Sequence, residues 1–155
     1  MIADALTIAA EEDNQLWQGH WLVESARVEL ARGNPEAALG LFQESAAVQQ
    51  RLGDAAREAV ALDGAGEACQ ALGRFDEAAD LHRRAIATFR DVDAHWRLAN
   101  ALARLGDALD VLGGEEQARA AWEEAARLGA SDDPQAASLA PQVAARLSDT
   151  SSDGS

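Results

Sequence analysis

The sequence has no tyrosine and no lysine, a single cysteine, three prolines, and aromatic residues at only 5% of its 155 positions. Every one of its 13 basic side chains is therefore arginine. Without lysine there is no Schiff-base chemistry and no P-loop of the Gly-rich, Lys-Ser/Thr kind. Cys69 alone cannot close an internal disulfide or found a Cys-cluster metal site. Valine, isoleucine and threonine are too sparse to build strands. No apolar run approaches the roughly 18 residues that span a bilayer. Met1 to Asp13 carry no positive charge, as a secretory signal would. A soluble, cytoplasmic protein is the expectation.

What is abundant is alanine, leucine, glutamate, arginine and glutamine, the strong helix formers. They set an all-α fold class. The formal charge of −14 repels phosphate backbones and anionic membrane surfaces, so neither nucleic acid nor membrane is an expected partner. Solubility is a sufficient reason for that acidity.

A repeat of forty residues organises the chain. Gly33, Gly73 and Gly113 share one place in it, followed five residues on by Ala38, Ala78 and Ala118. Phe42, His82 and Trp122 then share a large position, and Ser45, Ala85 and Ala125 a small one. Upstream, Leu22, Leu62 and Leu102 align, followed by Ala26, Gly66 and Gly106. Small residues let two helices approach, and a large side chain of the partner fills the hole beside them. Each unit reads as two helices, the first over about 15–32, 55–72 and 95–112, the second over about 35–52, 75–91 and 115–128. The three repeat glycines supply the positive φ that ends each first helix. Asn34-Pro35 reads as an N-cap with proline at the first helical position, and Gly53-Asp54 as the turn between units.

The domain is thus expected to cover residues 1–147, with a partial unit at 1–14, units at about 15–54, 55–94 and 95–133, and a capping helix at 134–147, starting at Asp133-Pro134 and interrupted or restarted at Pro141. Residues 148–155 read as a disordered tail. Met1 to about Glu12 align with the second helix of a preceding unit whose first helix is missing. That implies excision from a longer array; a natural N-terminal cap helix is the alternative.

These residues resemble the tetratricopeptide repeat, the second unit most closely, with L62-x2-A-G66 followed by LGRFDEAADLHRRAI. The third has L102-x2-L-G106-x2-L109. The first is weaker, with Ala26 for glycine and Glu29 at a usually apolar place. The units are longer than the family's usual length of about 34 residues, and Gln50, Arg90 and Ala130 replace its closing proline. Such long units look like those of kinesin light chain and of bacterial transcription regulators and signal-transduction NTPases, and the acidic, arginine-rich style is more similar to the bacterial group.

The resemblance implies a right-handed solenoid of antiparallel helix pairs, whose first helices line a groove for a protein or peptide. By register the groove side chains are His20, Glu24 and Arg27, then Asp63, Glu67 and Gln70, then Asn100, Arg104, Asp107 and Asp110. The Lys, Arg and Asn set that clamps a C-terminal carboxylate in some members is missing. Asp63-Gly64 and Ala103-Arg104 stand where many long-unit arrays carry asparagines that hold a peptide backbone. The acidic end at Asp63, Glu67, Asp107 and Asp110 suits a basic partner segment.

No catalytic constellation emerges, and neither cofactor nor metal is expected. His20, His82 and His95 are too far apart for ligand spacing. His82 reads as a packed repeat residue and Cys69 as a small core residue. Glu115-Glu116 and Glu123-Glu124 read as solvated or dipole-complementing charges, and Trp17 and Trp21 as packed between helices, with a partly exposed Trp17 as a binding hot spot the alternative. Two roles remain. One is a regulatory or sensor segment of a larger bacterial signalling or transcription-regulatory protein, binding a partner in trans or its own missing domains in cis. The other is a free-standing module that self-associates through its end helices.

Overall fold

A computed structural model describes residues 2–129, 134 and 139–152, with side chains described between residues 14 and 149. The described helices are α1 (Ile2–Ala31), α2 (Pro35–Leu52), α3 (Ala55–Ala71), α4 (Phe75–Asp91), α5 (His95–Val111), α6 (Glu115–Gly129) and α7 (Ala140–Ser152). Each packs on its neighbour in sequence, and the odd-numbered helices α1, α3 and α5 also touch one another. This is a solenoid of antiparallel helix pairs capped by α7, which lies on α6.

One turn chemistry joins the first six helices. After α3, the Arg74 amide donates to the Cys69 carbonyl at 2.8 Å and Gly73 to Gln70 at 3.1 Å. The same double bond recurs after α1, α2, α4 and α5, the pattern in which a left-handed residue closes the helix and satisfies its last carbonyls. Glycine fills that residue at 33, 53, 73 and 113; at 93 an aspartate does, with φ of 58°. Asp54 caps α3 through its side chain, accepting from the Arg57 amide at 3.1 Å. Asn34 does not cap α2: its side-chain nitrogen donates back to Glu29 instead.

Large residues on the second helices lie against small ones on the first, as the repeat requires. A Cβ at Gly66 would meet Cε1 of His82 at 2.6 Å, and one at Gly106 would meet Cδ1 of Trp122 at 2.5 Å. The Phe42 ring sits on Gly64, so it bridges the first and second units. Ala38, Ala78, Ala118, Ser45, Ala85 and Ala125 are buried at the matched small positions. Ser45 Oγ donates across to the Gly19 carbonyl at 3.0 Å.

The ends differ from expectation. Residues 2–14 are not a separate helix of a preceding unit but the first turns of α1, which runs unbroken to Ala31. Asp13 occupies the repeat place of Gly53 and Asp93, yet it stays helical. Trp17 and Trp21 are exposed, at 63% and 62%, rather than packed between helices. At the other end, residues 148–152 continue α7 and are not a disordered tail; residues 153–155 lie outside the described residues. The cap restarts at Ala140, with Pro141 in its first turn, where proline lacks no helical bond. The expected start at Asp133 and the stretch 135–138 lie outside the described residues.

Candidate binding groove

The first helices carry two kinds of side chain: alanines and leucines turned to the second helices, and polar residues on the opposite face. In α5, Ala99, Leu102, Leu105, Gly106 and Leu109 are buried, while Asn100, Arg104 and Asp107 stand half-buried on the other side. Repeated in α1 and α3, that face forms a groove of three compartments. The first, of about 220 Å³, lies between α1, α3 and α5 and includes His20, Glu24, Arg27 and Arg97. The middle one, of about 400 Å³, includes Arg27, Asp63, Glu67, Trp96, Arg97 and Asn100. The third, of about 500 Å³, runs past Gln70, Arg104 and Asp107 to Leu139, Gln142 and Arg146. Arg27, Val60 and Arg97 line both of the first two compartments, and Glu67, Asn100 and Arg104 both of the last two. The compartments therefore adjoin one another in line along the groove and form a segmented channel.

His20, Glu24, Arg27, Asp63, Glu67, Gln70, Asn100, Arg104 and Asp107 all line it. Asp110 does not: it is exposed near the C-terminal end of α5, beyond the third compartment. Trp96 and Arg97 escaped the sequence reading because they lie in the first turn of α5, one turn before the first repeat-matched groove position at Asn100. Gln142 and Arg146 escaped it because α7 is outside the repeat register. Spacing of three and four from Asn100 was the available signal for the first two.

Three carboxylates of the expected acidic end, Asp63, Glu67 and Asp107, are already paired within the chain. Asp63 is buried and accepts from His82 Nδ1 at 2.7 Å and from Arg104 Nη1 at 2.6 Å. Arg104 also reaches Glu67 at 3.3 Å. Asp107 takes the Trp122 indole N–H at 3.1 Å and Arg146 at 2.7 Å. A paired carboxylate has little left to offer an incoming cation, which would have to displace arginine first.

His82 is fully buried between α3 and α4. The Gln70 side-chain nitrogen donates to the Arg104 carbonyl at 2.9 Å, which turns the Gln70 oxygen toward His82 Nε2 at 3.0 Å. With the Asp63 oxygen on Nδ1, both ring nitrogens lie within hydrogen-bonding distance of a side-chain oxygen. His82 thus holds α3 to its own unit while Arg104 holds α3 to the next.

Two arginines in the channel are treated differently. Arg57 is paired with Asp54, but Arg27 and Arg97 have no ion-pair partner among the described residues. Arg97 lies over the Trp96 ring at 4.4 Å. Burial pushes its guanidinium below the usual range; the neighbouring Arg27 pushes it the same way, and Asp63 opposes both. Cys69 lies buried behind the channel, its thiol raised mainly by that burial. Among the described residues no three His, Cys, Asp or Glu side chains gather as a metal site, and no helix is long and apolar enough to cross a membrane.

Comparison with known proteins gives the same architecture. A family profile described as "Tetratricopeptide repeat" matches residues 17–91. No curated protein sequence matches the chain. Among solved structures, the TPR domain of Arabidopsis FLU is 23% identical, covers 76% of this chain and 99% of its own, and gives a TM-score of 0.71. A TPR-like protein of Chlorobium tepidum is 17% identical, with 90% and 98% covered and a TM-score of 0.75. The Yersinia enterocolitica type III secretion chaperone SycD, solved with a peptide of the translocator YopD, is 18% identical, with 88% and 94% covered and a TM-score of 0.72.

Proposed function

We propose that this chain, a member of the tetratricopeptide repeat family, is a protein- or peptide-binding scaffold that receives its partner in the channel between α1, α3 and α5. The observation that carries the reading is the alignment of its compartments: each shares lining residues with the next across two unit boundaries. A segment laid along it touches all three first helices at once. The SycD complex, whose chaperone has this fold and holds a translocator peptide, supports the same use. The Asp63–Arg104 and Asp107–Arg146 pairs keep the channel preorganised, so little ordering is required on binding.

Selection from a displayed random-peptide library, followed by NMR mapping on the labelled protein, tests this. Shifts are expected along the inner faces of α1, α3 and α5. Binders that map to the outer faces of α2, α4 and α6, or a folded protein that selects none, would refute it.

In its wider role the scaffold serves as the regulatory or sensor segment of a larger bacterial signalling or transcription-regulatory protein, a reading supported by the forty-residue unit and the arginine-only basic set. An antibody to the chain should detect a species well above its 16.3 kDa in the source cells. A band only at that mass would sink this part. Self-association is the second reading, favoured by exposed Trp17, Trp21 and Val28 on α1. Sedimentation of Trp17→Ser/Trp21→Ser against the native chain decides it: a native protein that stays monomeric at high concentration excludes it.

A further inference from the structure

We infer that the Arg27–Arg97 pair, where the first two compartments meet, binds an internal acidic side chain, Asp or Glu, of the segment that occupies the channel. The inference rests on the channel being the binding site, and specifies the chemistry of what enters it.

The argument starts from a contrast within one surface. Arg57, Arg104 and Arg146 line the channel and each is held by a carboxylate of the chain itself. Arg27 and Arg97 line it too, and among the described residues neither is in an ion pair, Asp63 acting on Arg97 only across the compartment. The protein carries 27 acidic residues against 13 basic ones, so leaving two arginines unpaired in a recess is not a matter of supply. The two come from different helices, α1 and α5, on opposite sides of the α3 wall. Like charges held together in a recess destabilise the empty site, and a carboxylate between them removes the repulsion while accepting a charge-assisted bond from each.

The surroundings narrow the ligand further. The channel continues past the pair on both sides, through His20 and Glu24 in one direction and Asn100 and Glu67 in the other. A chain end would leave one of those directions empty, so the geometry favours a side-chain carboxylate of a segment passing through. Val60 and Leu30 beside the pair offer apolar contact to a neighbouring aliphatic residue. Glu24, one turn before Arg27, lines the first compartment too; it is exposed and makes no ion pair among the described residues. A basic segment would meet Arg27 and Arg97 directly and find Asp63 and Glu67 already taken.

Three capped, C-terminally amidated peptides test it: alternating Leu-Glu, Leu-Gln and Leu-Lys of equal length, titrated by fluorescence anisotropy at low and moderate salt. The Leu-Glu peptide should bind roughly tenfold or more tighter than Leu-Gln, with Leu-Lys weakest and the preference shrinking as salt rises. Arg27→Gln and Arg97→Gln should each remove most of that preference. Arg27 is exposed, and its loss relieves repulsion, so Arg27→Gln is expected to keep or raise the thermal midpoint; a merely structural arginine would lower it. Equal binding of Leu-Glu and Leu-Gln, tighter binding of Leu-Lys, or an Arg27→Gln variant that retains the full preference overturns the inference. If the peptides shift channel resonances without any charge preference, the acidic-ligand inference fails and the channel reading stands. If library selection also yields no channel binder, both fail.

Discussion

Arg104 on α5 donates to Asp63 on α3 at 2.6 Å, and through that bond the third repeat unit holds the second. The same carboxylate holds His82 on α4 at 2.7 Å. One aspartate, 8% exposed, therefore ties together three helices from two units. A charge change at this position tests stability before it tests recognition.

Replacing Asp63 with Ala strands a buried imidazole ring and a half-buried guanidinium together. Breaking a buried pair from one side costs about 3–5 kcal/mol, and the lower end applies because Arg104 keeps contact with Glu67 and water. Urea denaturation should show a loss of roughly 3 kcal/mol, with Asp63→Asn intermediate. A change within experimental scatter would mean that the network is ornamental.

Two glycines on helices should respond with opposite signs to the same substitution. At Gly66 a methyl group collides with the His82 ring, which its two hydrogen bonds keep from yielding. Overpacking of about 1–3 kcal/mol outweighs the roughly 1 kcal/mol that alanine gains in helix propensity. At exposed Gly40 the added methyl group meets nothing, so Gly40→Ala should stabilise by roughly 1 kcal/mol. Thermal melts of both variants settle this. A Gly66→Ala protein as stable as the parent would disprove the close approach of α3 and α4.

Asp93 holds a φ of 58° where the matched Gly53 holds 72°. A left-handed conformation costs a non-glycine residue roughly 1–2 kcal/mol, and the exposed His95 contact adds little in return. Glycine also loses more chain entropy on folding, which takes back part of the gain. Asp93→Gly should therefore raise stability by about 0.5–1 kcal/mol. A lower melting temperature would show that Asp93 contributes something beyond turn geometry.

Glu124 on α6 pairs with Arg90 on α4, and that hydrogen bond holds its carboxyl below the usual range against the opposing effect of burial. The folded-state value is depressed, so the contribution is present above the unfolded carboxylate range and fades as pH falls through the folded value. Side chains 28% and 47% exposed limit the pair to about 0.5–1 kcal/mol after solvent screening. The stability gap between the native chain and Glu124→Gln should thus be small at neutral pH and close in acid. A gap that widens on acidification would reverse the sign and the assignment.

The repeat register was legible from the chain because packing enforces it locally. Phe42, His82 and Trp122 need small partners, and glycine or alanine stands at the matched place on each first helix. The same register led to nine of the groove-lining side chains, because one helix face repeats with the unit. Asp110 failed for the same reason: register extends a face indefinitely, while the channel ends where α7 closes it. Trp96 and Arg97 lay outside the matched positions, with only their helical spacing from Asn100 to mark them, and Gln142 and Arg146 lay on a helix outside the repeat.

The sequence by itself determined the helices, the turns at the positive-φ glycines and the face each first helix turns inward, since all three depend on residues within one unit. Tertiary structure alone decided how charge is spent in the channel. Asp63 and Arg104 are forty-one residues apart, in adjacent forty-residue units, and Asp107 finds Arg146 on a helix outside the repeat. By register one end of the groove looked acidic and suited to a basic segment. Once the units stack, most of its carboxylates are consumed within the chain, and Arg27 and Arg97 are left facing the channel, because distance in space, and not order along the chain, selects which charges cancel.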